Sequence, residues 1–175
     1  MTAADKIIEF DVTPFNRIRA KILLDGILRV FYPCGEFSDI NSLLDQLFLV
    51  IFFSDSVPED YEIDYNEKSE SFYVIFNDSD SMLNIVAYNK MIHKIVVNTT
   101  CCKRIFVRDI ILSCEKIFKS LGFFGHCNTF ECHESIDISK FIMLKSYVLG
   151  IPLPINRDGS TNYKKELEIL SAPIE

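Results

Sequence analysis

Three short stretches rich in β-branched and aromatic residues lie close together in the middle of the chain, at residues 72–76, 83–88 and 92–97. A turn-forming cluster at residues 77–81 separates the first two stretches, and Asn89 and Lys90 follow the second. Connections this short join antiparallel neighbours, because parallel strands need a crossover of about a dozen residues or more. This region therefore predicts an antiparallel meander, and the fold of the whole chain has to contain it.

Helical periodicity follows the meander. Apolar side chains recur every three or four positions up to Leu121, which predicts a helix with Thr99 or Thr100 as its N-cap and Gly122 as its end. The predicted inward face of this helix is Phe106, Ile110, Cys114, Ile117 and Leu121. Similar patterns predict a buried helix at residues 39–53 capped by Ser38, a helix from Asp137 or Ser139 to Leu149, and a short helix at residues 163–170.

The N-terminal third is less well specified. Residues 7–12 look like a short strand, and Thr13-Pro14 supplies an N-cap and a first-turn proline for a helix that extends to about residue 32. The alternative is a hairpin around Asp25-Gly26, a strong two-residue turn signal. We favour the helix because a hairpin would place Arg29 opposite Ile22 on the same face of a sheet.

Together these elements predict an α+β fold: an antiparallel β-meander of about four to five strands packed with about four helices. The expected organisation is a single domain over residues 1–175, with an irregular arm at residues 152–163. A chain in which 49% of residues are hydrophobic, with 15 phenylalanines, has enough apolar material for its own core.

The N-terminal residues lack the basic and apolar regions of a signal peptide, and the longest apolar run, residues 47–53, is far shorter than the roughly 20 residues that span a bilayer. We therefore expect a cytoplasmic protein that makes no membrane contact. The six cysteines are interpreted as reduced thiols, and the sequon at Asn98 is expected to carry no glycan.

Negative charge is concentrated in one place. We call residues 55–70 the acidic segment, because it contains seven carboxylates and one lysine and so accounts for six of the chain's seven excess negative charges. Within it, Tyr61, Ile63 and Tyr65 alternate with Glu62 and Asp64, which predicts a strand with one acidic and one aromatic-aliphatic face.

Two alternatives to partner binding exist for the acidic segment: a solvated edge strand, and a calcium or magnesium site, although no run matches a calcium-binding loop. If the segment binds a partner, carboxylates and tyrosines suit a basic protein surface. The candidate partner-binding residues are Glu59, Asp60, Tyr61, Glu62, Asp64, Tyr65, Glu67 and Glu70.

Direct nucleic-acid binding is not expected, because the basic residues form two small separate groups without interleaved aromatics. These groups are Arg17, Arg19 and Lys21, and Lys103, Arg104 and Arg108, both interpreted as ordinary helix surface. We expect no cofactor, since the chain has no glycine-rich phosphate loop.

Two Cys and two His lie within eight residues, at His126, Cys127, Cys132 and His133. This Cys/His cluster allows a zinc site, a thiol nucleophile beside an imidazole, or plain packing of a hairpin, and its spacing does not match the usual zinc motifs. Cys101-Cys102 lies at the N-terminus of the predicted helix, where the helix dipole lowers a thiol's pKa, and gives a second, weaker candidate for a reactive thiol. His93 is expected on the surface of a hairpin.

A small acidic α+β domain with the segment Asp60-Tyr61-Glu62-Ile63-Asp64-Tyr65 resembles the immunity proteins of bacterial toxin systems, including contact-dependent inhibition. The resemblance is one of general profile, without a shared motif. It implies a cytoplasmic, non-catalytic inhibitor that covers the active site of a basic toxin, such as a nuclease, or a surface beside it.

The leading hypothesis is therefore a non-catalytic protein-binding inhibitor. The alternative is a small thiol enzyme or zinc-binding protein centred on the Cys/His cluster. A third possibility is a subunit of a larger assembly or a homo-oligomer, which the apolar surplus favours.

Overall fold

The computed structural model describes residues 7–12, 18–24, 26–31, 37–53, 61–65, 70–76, 82–89, 91–121 and 136–174. The strands are β1 (Ile8–Val12), β2 (Ile18–Leu24), β3 (Ile27–Phe31), β4 (Tyr61–Tyr65), β5 (Glu70–Phe76), β6 (Met82–Asn89) and β7 (Lys94–Cys102). The helices are α1 (Phe37–Phe52), α2 (Lys103–Leu121), α3 (Ile138–Leu149) and α4 (Tyr163–Ser171).

The chain is built of helices and small antiparallel sheets, as the α+β class requires. One sheet has the order β1-β2-β3, and the other has the order β4-β5-β6-β7. Every strand in both sheets pairs with its sequence neighbour in antiparallel fashion. The second sheet contains the predicted meander, but the described residues form seven strands in two sheets instead of about four to five strands in one meander. Among the helices in the ranges given above, none is long and apolar enough to cross a membrane.

The helix predicted at residues 14–32 is wrong, because this part of the chain contains the β2–β3 hairpin. Leu24 pairs with Ile27, so Asp25 and Gly26 alone connect the two strands, and Gly26 has a φ of +73°. The rejected pairing of Ile22 with Arg29 is the one that forms. Thr13-Pro14, the predicted helix start, lies outside the described residues.

The hairpin forms because β2 alternates apolar and charged residues. Ala20 and Ile22 are fully buried, and each pairs with a buried residue of β1, Phe10 and Ile8 respectively. Arg19 and Lys21 lie on the opposite face, where both reach the carboxylate of Asp11. Strand β1 both buries the apolar face of β2 and pairs with its charged face. These contacts join residues distant in sequence, so helical periodicity, which is a local pattern, does not reveal them.

Helix α1 begins two residues before the expected N-terminus at residue 39, so Ser38 lies inside its first turn instead of capping it. Ile40, Leu43, Leu44, Leu47 and Val50 are buried in the core. The side chains of Phe48, Leu49, Ile51 and Phe52 are only half-buried, and Phe53 beyond the helix is exposed. The helix therefore has one core face, although its second half is apolar on every side.

The last strand of the meander is displaced from its predicted position. Strand β7 begins at Lys94 and extends to Cys102, whereas Met91, Ile92 and His93 form the turn. His93 is exposed, as expected, with a φ of +52° and its Nδ1 3.3 Å from the hydroxyl of Tyr88. Thr99 and Thr100 pair with Ile85 and Asn84 of β6, so neither caps α2.

The helices toward the C-terminus match their sequence signals. The Asp137 carboxylate accepts a hydrogen bond from the backbone N–H of Lys140 at the start of α3, and Gly150 ends α3 with a φ of +70°. Asn162 caps α4 in the same way through the N–H of Lys165. Between these helices, residues 151–162 contain a single bridge, which pairs Ile155 with Thr161.

Helix α2 covers the free edge of β1. The carboxylate Oδ2 of Asp109 accepts a hydrogen bond from the N–H of Ile7 (2.8 Å), and Oγ of Ser113 accepts one from the N–H of Phe10 (2.9 Å). Asp109 and Ser113 are both buried. Lys116, the next residue on this face, binds Glu9 of the strand (2.7 Å). These bonds satisfy backbone donors that an edge strand would otherwise leave unpaired.

Substitution of two serines of α2 measures how much the hydrogen bonds from α2 to the edge of β1 contribute to the free energy of unfolding. Ser113 and Ser120 each donate to the carbonyl four residues earlier, but only Ser113 also accepts from β1. We expect Ser113→Ala to lower the free energy of unfolding by about 1–3 kcal/mol, because it leaves a buried N–H unsatisfied. The matched Ser120→Ala change should cost less than about 0.5 kcal/mol in the same urea titration. Equal losses in the two variants would show that the bond to Phe10 contributes nothing.

Candidate functional site

The described part of the acidic segment includes an edge strand of the four-stranded sheet. Residues 61–65 form β4, the strand that the alternation of residues predicts, and β4 is the first strand in the sheet order. Tyr61, Glu62, Asp64 and Tyr65 belong to this strand, and Glu70 begins β5. The other three candidate residues, Glu59, Asp60 and Glu67, lie outside the described residues.

The register fixes how the candidate residues are placed along the edge. Glu62 lies opposite Tyr73, Asp64 opposite Ser71, and Tyr65 opposite Glu70. Because strand residues alternate between faces, Glu62 and Asp64 share one face and the two tyrosines share the other. No other described strand pairs with the far side of β4, so its backbone groups on that side face away from the sheet.

Asp11 and Asp45, outside the acidic segment, each contact basic residues that lie further along the chain. Asp11 binds Arg19 (2.6 Å) and Lys21 (2.8 Å), and Lys116 lies 3.7 Å from it. Lys140 contacts Asp45 of α1. Arg19 and Lys21 were expected on a helix surface. They lie instead on β2, where both form ion pairs with the Asp11 carboxylate.

These cations determine the titration of Asp11. Burial alone would raise the pKa of its carboxyl, but hydrogen bonds from Lys21 and Arg19 and the charge of Lys116 outweigh that effect. The pKa of Asp11 is therefore held well below its usual range. Its carboxylate links β1, β2 and α2.

Two pockets border α2. The first has a volume of about 460 Å³ and is lined by Cys102, Arg104, Ile105, Arg108, Val148, Leu149, Pro173 and Ile174. The second has a volume of about 400 Å³, and its lining includes Lys145, Glu115 and Phe118. The described lining residues of the two pockets come from β7, α2, α3, α4 and the residues that follow α4.

Lys145 is a buried cation, with a side chain only 1% exposed. Its Nζ donates to Oε1 of Glu115 (2.6 Å) and to the carbonyl of Leu170 (2.9 Å). The first bond joins α3 to α2, and the second satisfies a carbonyl in the last turn of α4. The Glu115 carboxylate and the Leu170 carbonyl together compensate the Lys145 ammonium for its loss of contact with water.

The cysteines that the structure describes, Cys101, Cys102 and Cys114, are free thiols. Burial raises the pKa of Cys101 to about 12, with smaller contributions from Cys102 and Asp109. Burial also raises the pKa of Cys114 to about 12. These two thiols stay protonated at neutral pH, so the reactive-thiol hypothesis for the Cys101-Cys102 pair does not hold for Cys101.

The Cys/His cluster at residues 126–133 lies outside the described residues. Within the described ranges, no group of three or more His, Cys, Asp or Glu side chains is arranged to hold a metal ion.

Three residues that organise these sites were not singled out as such from the sequence: Asp109, Lys145 and Arg104. A usable signal existed for Asp109, because it follows Phe106 by three residues and so lies close to the predicted inward face of α2. Lys145 gives a similar signal, since it lies between the buried residues Leu144 and Val148 of α3. Arg104 is held by the Val148 carbonyl near the end of α3. No local sequence pattern predicts this contact, because the two residues are distant in the chain.

Comparisons of the chain with protein-family models, curated proteins and solved structures found no match. The function is therefore inferred from the residues and their geometry.

The lowered pKa of Asp11 predicts a pH-dependent contribution to stability. Because the pKa is lower in the folded state than in the unfolded chain, the stabilisation is complete above the unfolded value and is lost as the pH falls below about 5. We expect Asp11→Asn to lower the free energy of unfolding by about 1–2 kcal/mol at neutral pH, with a difference that shrinks in acid. Urea titrations between neutral pH and strong acid measure this.

Glu168→Gln, on an exposed part of α4, is the control and should follow the parent protein at every pH. If the parent protein and Asp11→Asn lose stability equally on acidification, Asp11 has no part in the pH dependence.

Proposed function

We propose that this protein is a non-catalytic, protein-binding inhibitor, an immunity protein that neutralises a basic toxin, with the acidic segment as its docking surface. The observation that carries the proposal is the concentration of six of the seven excess negative charges in residues 55–70, part of which is an edge strand. The proposal takes residues 1–175 as one cytoplasmic inhibitor domain.

The distribution of charge supports this proposal. Asp11 of β1, Asp45 of α1 and Glu115 of α2 each pair with a cation from another element, so these charges contribute to the fold. The acidic segment, in contrast, carries Lys68 as its single basic residue. A local excess of carboxylates attracts a basic surface and speeds its association.

The position of β4 supports protein binding as well. An edge strand offers backbone N–H and C=O groups to a partner, and Tyr61 and Tyr65 add residue types that are enriched at interfaces. Carboxylates on such an edge also discourage pairing between identical edges, because like charges would then face each other. The same residues therefore favour a basic partner over aggregation.

Exposed apolar side chains at the β6–β7 hairpin support the broader class of protein-binding protein. Met91, Ile92 and Ile95 are 76%, 57% and 59% exposed, which is unusual for three large apolar residues so close in sequence. Ile95 belongs to β7, the strand at the edge of the sheet opposite β4, and Met91 and Ile92 lie in the turn that precedes β7. A second contact with the partner, or self-association into a homo-oligomer, would bury them.

The functional alternative is a thiol enzyme or zinc-binding protein centred on His126, Cys127, Cys132 and His133. Elemental analysis of protein purified without added metal tests the zinc case. Stoichiometric zinc that disappears in a Cys127→Ser, Cys132→Ser variant would favour this alternative over the inhibitor.

The direct test begins with affinity capture of the tagged chain from lysate of its own cells, with washes at low and high salt. We expect a basic protein that is retained at one-to-one stoichiometry in high salt and whose toxicity on expression is suppressed by co-expression of this chain. Retention of a partner whose expression is harmless would contradict the immunity role.

Charge reversal then tests the docking surface. We expect Glu62→Lys, Asp64→Lys and Glu67→Lys together to weaken binding of the purified partner at least about 100-fold by calorimetry, because paired interfacial charges become repulsive. The control reverses Asp158, Glu166 and Glu168, which lie on the C-terminal arm and α4 and give the same net charge. An equal loss in both variants would indicate long-range attraction only, and unchanged affinity in the first would remove the acidic segment from the interface. Circular dichroism confirms that both variants are folded.

A further inference from the structure

The 460 Å³ pocket lies where the start of α2, the end of α3 and the C-terminal residues Pro173 and Ile174 meet. Its volume falls in the range of about 300–1,000 Å³ that small-molecule sites occupy. The walls are mostly aliphatic, and two guanidinium groups, those of Arg104 and Arg108, supply the polar part. A few fixed polar groups in an apolar pocket are typical of a ligand site.

The guanidinium of Arg104 is fixed but its charge is not neutralised within the described part of the chain. Its Nε (3.1 Å) and Nη2 (2.6 Å) both donate to the carbonyl of Val148, near the end of α3. That acceptor is neutral, and no carboxylate in the described ranges forms an ion pair with Arg104. Since arginine has five N–H donors, its Nη1 group is available to a ligand.

Arg108 is also held in place, but its charge is shared. Its Nε (3.2 Å) and Nη2 (2.9 Å) donate to Oδ1 of Asp109, the buried carboxylate that also binds β1. Among the described lining residues, Arg104 and the Arg108–Asp109 pair together carry one excess positive charge. Because both guanidinium groups already form hydrogen bonds within the protein, fixing them costs a ligand less entropy.

We propose that this pocket binds a monocarboxylate with an apolar body, a site and ligand class beyond the proposed inhibitor function. The planar carboxylate matches the arginine fork, and the aliphatic residues Ile105, Leu149 and Ile174 contact the apolar body. The single excess charge among the described lining residues balances a monoanion, whereas a phosphate monoester would bring a second negative charge without a partner among them. The ligand can be a free acid or the end of a peptide, and the carboxylate is the chemistry that both share.

Calorimetric titration with three matched probes tests the ligand class. Phenylacetate should bind the full chain with a Kd near or below about 1 mM, and phenylacetamide, its neutral counterpart, should bind at least about tenfold more weakly. Phenyl phosphate should also bind more weakly than phenylacetate. Equal affinity for the amide, tighter binding of the phosphate, or no binding of phenylacetate would each overturn the proposal.

Arginine substitution locates the site. Arg104→Gln retains an N–H that can donate to Val148 but removes the charge, so we expect about a tenfold loss of phenylacetate affinity. Arg157→Gln, on the exposed arm, is the matched control and should bind like the parent chain. Unchanged affinity in a folded Arg104→Gln variant would place the binding elsewhere.

A second pair of variants covers the case in which Arg104→Gln does not fold. Ile174→Asp introduces a competing carboxylate at the pocket wall, and Ile174→Asn is its neutral match. We expect the aspartate variant to lose phenylacetate binding and the asparagine variant to retain more of it. Equal affinities in the two would contradict an electrostatic role for the pocket.

The thiol of Cys102, which lines the same pocket, gives an independent readout. Bound phenylacetate should slow alkylation of Cys102 by iodoacetamide, measured by peptide mass spectrometry, whereas phenylacetamide at the same concentration should not. To separate a free acid from a peptide end, an apolar tetrapeptide with a free C-terminus is compared with its C-terminal amide. Protection by the free tetrapeptide and not by the amide identifies a peptide carboxylate as a ligand; protection by phenylacetate alone restricts the site to small acids.

Discussion

The attachment of the N-terminal sheet to α2 rests on polar bonds from one face of the helix. Asp109, Ser113 and Lys116, spaced four and three residues apart, bind Ile7, Phe10 and Glu9 in turn. The stretch of α2 from Asp109 to Lys116 and the stretch of chain from Ile7 to Phe10 are each about 10 Å long, so the three helical side chains can reach this whole stretch. A carboxylate with no exposed surface is unfavourable without a cation, and Arg108 supplies it. The burial of Ile8 and Phe10 depends on this alignment.

The elements that were predicted correctly are those whose signals are local. Asp137 and Gly150 mark the ends of α3 through the chemistry of their own side chain and backbone, and Phe106, Ile110 and Cys114 mark the buried face of α2. The helix predicted near residues 14–32 failed because its competitor gains stability from a distant strand. Ile22 and Ala20 are buried only when β1 lies beside them, and Arg19 pairs with Asp11 of that strand. The Thr99 and Thr100 caps failed similarly, since β6 supplies ladder bonds that the helix start does not.

Much of the candidate site was visible in the sequence, because alternation and charge density are local properties. The strand at residues 61–65 and its two faces follow from them. Its position at the end of the sheet order follows from strand connectivity, which composition does not determine. The arginine pocket was not foreseen for a different reason: Arg104 reaches a carbonyl 44 residues away. The same residue resembles ordinary helix surface when only its neighbours along the chain are considered.

The bond between Lys145 and the carbonyl of Leu170 determines where the chain tolerates shortening. Lys145 has almost no exposed surface, and one of its two acceptors is backbone near the end of α4. A truncation before residue 170 would leave this ammonium with Glu115 alone and uncover Ile169, which is fully buried. The final helix is thus part of the folded core and not a removable tail. Expression boundaries, protease-trimmed fragments and C-terminal fusions all have to retain it.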